Sequence, residues 1–423
     1  MEDVLHFLPR APIGSGPIFD AVRAHWGARD AARRYRKNAA KQLGRIAQAA
    51  AAEDHERAAY LRRLFCDALC ARFVAAEAEN QELDASERHS LVDLIALVKR
   101  LNARHGTDEP VRVYLKPKSS GGARSICQFG FRNKVLQRMV LMALEAGTRF
   151  HPAQFNVPGR GGLPAAKQAV HEAYASGVYK YVVQMDVRNC FPSFTATGVA
   201  ENLPVPRQVT NAVIMMDNLQ VILSSSYQPS HHHRVEQPTV TGLPQGSVCS
   251  PIVQSILLKP LLDVVPPSAR AVMWADNMIV LFRTRAEAEQ TIMDLHEAAR
   301  RLPSGPVQLI DGGIGLVSGK QIFLGSAFQR RKGRGLTTPT AAAKNCYIEN
   351  LARILEQPPS RKRDVAVHSH HRGFMSGHRL WSEVAQWTGH IRAVLDTPQS
   401  SIVPVRVSAA GCRLSLRRLW SRS

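Results

Sequence analysis

The stretch MWADNMIVL, residues 273–281, constrains the fold more than any other part of this chain. Two near-continuous apolar runs flank one polar pair, Asp276-Asn277, and such runs read as the two strands of a β-hairpin. Asp and Asn tolerate the positive φ of a tight turn, which places the pair at the hairpin tip. Taken alone, the pair is open to two readings: a turn, or a hairpin that holds a metal ion.

A hairpin this apolar needs a core around it. With 423 residues and 45% hydrophobic content, the chain can bury sizeable cores and is expected to form two or three domains. Its 55 Lys and Arg against 34 Asp and Glu give a formal net charge of +21, an excess that favours a polyanionic partner, nucleic acid first. No apolar run approaches the roughly 18 to 20 residues of a spanning helix, so no membrane partner is expected. The opening MEDVLHFLPRAPIG lacks a basic region followed by a long apolar core and does not read as a secretory signal, and a cytoplasmic location is the expectation. Seven scattered cysteines with no Cys-x-x-Cys pair argue against a disulfide framework and a zinc ribbon. Cys66 and Cys70 stand four apart on a predicted helix, where packing is the favoured reading over a shared metal. His231, His232 and His233 sit in a polar, Pro-flanked stretch.

The chain changes character along its length. Residues 1–105 are expected to form a helical, basic N-terminal region, with apolar residues at helical spacing such as Leu61, Leu64, Phe65, Ala68 and Leu69. Its segment RDAARRYRKNAAKQLGR is strongly basic, with Asp30 its only acid, and makes Arg33, Arg34, Arg36 and Lys37 candidates for contact with nucleic acid. From 111 the pattern turns β-like: VRVYLKPKSSGGARSICQFG reads as two strands joined by a basic, glycine-bearing loop. The helix FRNKVLQRMVLMALEAGTRF follows, then the apolar strand YKYVVQMDV. After 335 the sequence reads as helical again. Arg330, Arg331 and Lys332, in QRRKGRG, form a second basic candidate for nucleic acid.

Three elements share one chemistry. A buried-looking strand delivers Asp186 at its end, in YVVQMDVRNCFPSF. The Gly/Pro loop of TGLPQGSVCSPIVQSILL leads into a helix whose expected cap is Ser247. The third element is the hairpin bearing Asp276. Two carboxylates so placed suit the pair of divalent ions of an in-line phosphoryl transfer, and all-oxygen ligands suit Mg²⁺, with Mn²⁺ the alternative.

With these motifs in order, the chain resembles the reverse transcriptase family over roughly 111–326. DVRNCFPSF is similar to that family's first catalytic motif, GLPQGSVCSP to its nucleotide-proximal loop and helix, and WADN to its metal-binding hairpin. FLGSAF resembles the primer-grip strand pair, KPKSSGGARSI the fingers hairpin and VLQRMVLMAL the helix behind it. The resemblance implies an α+β fold: a right-hand polymerase with an antiparallel-sheet palm, fingers, and helical N-terminal and thumb regions. Fingers and palm would occupy 106–335, and a helical thumb with a basic tail 336–423. It implies Asp186 and Asp276 as metal ligands, joined by the main-chain carbonyl of Val187, with Asn277 beside them where the family carries a second Asp. Phe191 would crowd a ribose 2′-hydroxyl, Gln245 would stack near the incoming base and sugar, and Gly242 and Gly246 would let the backbone approach. Arg124 and Lys118 would hold the triphosphate, Arg by its forked donors. Lys320 is the nearest candidate for a general acid.

The activity so implied is RNA-directed DNA synthesis from dNTPs on an RNA template, with a DNA product. QGS at 245–247 points towards retron-like and defence-associated bacterial members and an associated non-coding RNA. The alternatives are an RNA-synthesising relative and a non-catalytic RNA-binding scaffold or toxin component, to which Asn277 and the charge would also be suited. Nothing in the sequence speaks for an oligomer.

Overall fold

Alanine-rich, charge-laced sequence makes the first third of the chain helical. In the computed structural model, which describes residues 17–117, 123–217, 220–223 and 241–396, α1 spans Pro17–Ala51. Helix α2 (His55–Asp67) starts where the Asp54 carboxylate accepts the Arg57 N–H, and α3 spans Leu69–Glu82. The break between them falls at Ala68, so Cys66 and Cys70 lie on different helices, contrary to the single helix expected. Cations explain the break: Arg72 donates to the Asp67 carbonyl, and Arg104 clamps the Asp67 carboxylate at 2.8 and 2.6 Å. Helix α4 (Leu91–Arg100) is capped by Ser90 and ends on Lys99 and Arg100, where cations suit the helix dipole.

Strands β1 (Val111–Pro117) and β2 (Ala123–Gln128) form the expected antiparallel pair, with Leu115 opposite Ser125. Helix α5 (Phe131–Glu145) carries the VLQRMVLMAL segment and buries Val135, Leu136, Met139 and Val140. Helix α6 (Gly162–Ser176) and strand β3 (Tyr181–Arg188) follow. Short helices α7 (Cys190–Ser193), α8 (Ala196–Asn202) and α9 (Arg207–Val209) lead into a π-helical turn at Thr210–Met215. Strand β4 (Val221–Leu223) pairs parallel with β1. Helix α10 spans Ser250–Asp263, strands β5 and β6 Arg270–Trp274 and Asn277–Phe282, and helix α11 Arg285–Arg300. Strands β7 (Gln308–Leu316), β8 (Gln321–Phe323), β9 (Ser326–Arg331) and β10 (Arg334–Pro339) precede α12 (Ala341–Leu355), α13 (Arg361–Gly377) and α14 (Val384–Asp396). The helical reading after 335 thus starts late, because Thr337 to Pro339 complete β10 against β9.

The chain divides into two compact units. One comprises Met1–His151, Arg188–Leu261 and Ala298–Gln308, and the other Pro152–Val187, Leu262–Glu297 and Leu309–Ser423. The first contains the sheet β2-β1-β4 and helix α5, and the Arg62 guanidinium of α2 donates to the carbonyls of Ala143 and Ala146 at the end of α5. In the second, the sheet β5-β6-β3-β7 is covered on one face by α6. Ala166, Ala169, Val170, Ala173 and Tyr174 pack there against Val182 of β3, Val272 of β5, and Ile279 and Leu281 of β6. A second sheet, β10-β9-β8, joins this core through Phe323 and Phe328. Helices α12 to α14 share their own core of Tyr347, Ile348, Leu351, Val367 and Ile391, and Lys167 of α6 donates to the Gly377 carbonyl at the end of α13. Among the described residues, no helix is long and apolar enough to cross a membrane.

Candidate active site

Side chains on a strand alternate between faces, so Val182, Gln184 and Asp186 of β3 share one face, the one that meets α6 at Val182. Strand β6 pairs antiparallel with β3, and Asp186 stands directly opposite Asn277. Asn277 in turn stands opposite Trp274 of β5. The result is a row across the sheet, Trp274, Asn277, Asp186, one pleat beyond the apolar core. Directly opposed residues have Cβ atoms about 4.5–5.5 Å apart, so Asn277 lies within reach of the Asp186 carboxylate.

The hairpin tip differs from the expectation. Only Ala275 and Asp276 form the turn, and the positive φ falls on Ala275, at 56°. A positive φ at the first central residue alone marks the II′ type, which matches the right-handed twist of its strands. Asn277 is therefore the first residue of β6 and not a turn residue. Its Nδ2 donates to Asp276 Oδ1 at 3.3 Å, and the Val187 N–H donates to the Asp276 carbonyl at 3.1 Å. One backbone bond thus ties the hairpin tip to β3 beside Asp186, and one side-chain bond orients the Asp276 carboxylate.

Burial, and secondarily the negative charge of Asp276, pushes the Asp186 carboxyl up to about 6. Two half-buried carboxylates set this close repel one another, and a divalent cation relieves both the repulsion and the lost solvation. The donor set fits a hard cation to that extent: Asp186 and Asp276 as charged oxygens, with the Asn277 amide alongside. Among the described residues there is no group of three or more His, Cys, Asp or Glu side chains placed to hold a metal ion.

The other unit gathers a second set. The loop Gly242–Gly246 runs between α7 and β2 and is fastened at both ends. The Leu243 N–H donates to the Phe191 carbonyl at 2.9 Å, and the Cys127 N–H donates to the Gln245 carbonyl at 2.7 Å. Both glycines are required by space as well as by positive φ: a Cβ on Gly242 would lie 2.1 Å from the Phe191 carbonyl oxygen, and one on Gly246 2.2 Å from that of Cys127. Phe191, Gln245 and Gly246 are thereby brought together beside β2, the strand that carries an exposed Arg124 opposite Lys116. Lys118 lies outside the described residues, as do His231, His232 and His233.

Ser247 is not the cap of α10, which begins at Ser250. The Ser247 hydroxyl instead lies 3.3 Å from Cys249 Sγ, while Ser250 Oγ donates to the Pro244 carbonyl at 3.0 Å. Gln137 of α5 is a residue that sequence reasoning missed: fully buried, it accepts the Val248 N–H at 3.1 Å and holds the loop from behind. The available signal was an amide beside Arg138 within the mostly apolar VLQRMVLMAL. Lys320 sits exposed just ahead of β8.

The basic candidates separate into committed and exposed groups. Arg36 makes a bidentate pair with Glu77 at 2.9 and 2.5 Å, and the Arg330 guanidinium lies over Gly177, at the C-terminal end of α6. Arg33, Arg34, Lys37, Arg331 and Lys332 are exposed, the last at the positive-φ turn between β9 and β10.

Residues 116–303, under half of the chain, match the family model described as reverse transcriptase (RNA-dependent DNA polymerase). No protein of curated function matches the chain. Similar solved structures include apo telomerase from Candida tropicalis, with 12% identity over 64% of this chain and 52% of that one and a TM-score of 0.39. A form of that telomerase truncated from its C-terminal domain has 13% identity over 56% of each chain and a TM-score of 0.36. The Sicinivirus 3Dpol RNA-dependent RNA polymerase has 11% identity over 70% of this chain and 69% of that one, with a TM-score of 0.38. The chain thus spans little more than half the length of the two telomerase chains. The fold is of the α+β class, and the matched segment lies in it from β1 to the end of α11. Within it, the matched segment is similar to the reverse transcriptases.

Proposed function

We propose that this chain is an RNA-directed DNA polymerase that transfers nucleotides from dNTPs at Asp186 and Asp276. The observation that carries the reading is the row Asn277–Asp186 with Asp276 bonded beside it, inside a segment that matches the reverse transcriptase model. Asp186 and Asp276 would hold divalent ions, Mg²⁺ or Mn²⁺, with the Val187 carbonyl as a further oxygen. Ions bound there supply activation of the attacking 3′-hydroxyl and charge stabilisation of the transferring phosphoryl group.

The chain's own residues do the rest. Burial and Asp276 raise the Asp186 carboxyl, so the proton and a divalent ion would compete for it. Asn277 keeps the Asp276 carboxylate aimed by its amide N–H. The fastened loop presents Gln245 and the Gly246 backbone to the nucleotide, and Phe191 restricts the sugar to 2′-deoxy. Arg124 and Lys118 hold the triphosphate. The division into a helical basic N-terminal region, fingers with palm, and a helical thumb belongs to the same reading, as does an RNA template and a DNA product. Gln245-Gly246-Ser247 supports placement among the defence-associated bacterial enzymes, with a non-coding RNA as partner.

The test is extension of a primer annealed to RNA, with dNTPs or with rNTPs, by the wild type and Phe191→Ala. The wild type is expected to use dNTPs only, and Phe191→Ala to admit rNTPs. Preferential use of rNTPs by the wild type would favour the RNA-synthesising alternative. No synthesis from either would favour the RNA-binding scaffold.

A further inference from the structure

Helix α1 buries one face and leaves the opposite one to solvent. Ala28, Ala32, Ala39, Ile46, Ala49 and Ala50 are buried, and they fall on a single side of the helix. Across from them stand Arg33, Lys37 and Lys41, with Arg29 and Arg45 on the two flanks of that outward face; all five are exposed and spaced four residues apart, with Arg34 beside them. At 1.5 Å per residue this ladder is about 24 Å long. Asp30 is the only acid between Arg29 and Arg45, and the next acid in the chain is Glu53. Among the described residues none of the six cations has an ion pair, whereas Arg36, close to Arg29 around the helix, is taken by Glu77.

Like charges at i, i+4 each destabilise a helix by about 0.2–0.5 kcal/mol, so five set in file with Asp30 as the one acid near them carry a penalty that a bound polyanion would relieve. Trp26, 63% exposed, stands one turn ahead of Arg29 on the same side, where an aromatic face adds base stacking. A membrane surface suits the stripe poorly. Helices that lie in a bilayer interface insert an apolar face, and the apolar face of α1 is already buried in protein.

We propose that the outward face of α1 is a docking surface for the phosphate backbone of RNA, separate in its residues from Asp186 and Asp276. The choice of RNA rests on the polymerase reading; the anionic-backbone chemistry does not. Binding of an RNA hairpin, of a DNA duplex of the same sequence and of phosphatidylserine vesicles is measured against salt concentration. The proteins are the wild type, Arg33→Gln/Lys37→Gln/Lys41→Gln, Arg36→Gln and Asp276→Asn. Glutamine preserves helix propensity, and far-UV circular dichroism confirms that α1 is intact.

The triple variant is expected to lower the magnitude of the slope of log K against log salt by about 2 to 3, at 0.7–0.9 per lost phosphate contact. Asp276→Asn is expected to keep the wild-type slope. An unchanged slope in the triple variant, or an equal flattening by Arg36→Gln, would overturn the surface. Equal affinity for the DNA duplex would overturn the assignment to RNA, and vesicle binding lost in the triple variant would replace it with a membrane. Unimpaired synthesis by Asp276→Asn would count against the polymerase reading and leave the slopes, and with them the surface, to be judged by the triple variant.

Discussion

Asn277 stands where the resemblance leads one to expect a carboxylate, and its position in β6 explains what an amide does there. It is a strand residue opposite Asp186 whose N–H side fixes Asp276, a bond that a second carboxylate could not donate. Asn277→Asp should therefore have two effects. A third carboxylate lowers the divalent-ion concentration for half-maximal synthesis, because a charged oxygen binds a hard cation better than a neutral one. It also destabilises the metal-free protein by adding repulsion at Asp186. Superimposable Mg²⁺ and Mn²⁺ titrations for the wild type, Asn277→Asp and Asn277→Ala would show that the amide takes no part in ion binding.

Asp186 itself carries a pH signature. Its folded value, about 6, lies above the ordinary 3.8, so the folded state binds the proton more tightly than the unfolded chain. Without metal, that difference erodes wild-type stability as pH rises from about 4 to about 6, and the erosion is complete above. Asp186→Asn lacks this term. It should exceed the wild type above pH 7 by on the order of 1 kcal/mol, allowing for partial solvent screening, and the gap should close towards pH 4. Denaturant unfolding in the presence of a chelator reads the gap; a gap independent of pH would mean that Asp186 is not held in this environment.

Among elements, the fastened loop at Gly242–Gly246 makes the sharpest prediction. Gly242→Ala and Gly246→Ala each push a Cβ into a carbonyl oxygen in a conformation that L residues avoid, so the loop must shift. Strain of this kind costs on the order of 1–3 kcal/mol, and the KM for dNTP should rise with it. An unaltered KM in both variants would separate the loop from nucleotide binding. The strand–helix order around this loop was legible in the sequence because β1 alternates, β3 and the β5–β6 hairpin are near-continuous apolar runs, and α5 follows a basic, glycine-bearing strand pair. Strand β7 was not: Gly312, Gly313 and Gly315 dilute its strand signal, and only its place beside β3 in the sheet reveals it. The break at Ala68 was equally hidden, since it depends on Arg72 and Arg104, the latter distant in sequence. For the candidate site, Asp186 towards a strand end and Asp276 in a hairpin turn were legible as candidates, whereas the cross-strand place of Asn277 depends on register, which one residue of turn length decides.

At the scale of the molecule, the excess of positive charge resolves into unlike parts. Some cations hold the fold together, as Arg62, Arg104 and Arg36 do, and others stand exposed in file along α1. The central claim, however, concerns two carboxylates in one sheet. It is tested most directly by single-turnover incorporation of one dNTP opposite an RNA template, with the wild type and Asp276→Ala compared across a Mn²⁺ titration. Metal-dependent incorporation by the wild type is expected, with a loss on the order of 10³-fold or more in the variant, the scale of removing electrostatic stabilisation from a phosphoryl transfer. Incorporation by Asp276→Ala at the wild-type rate would contradict the claim.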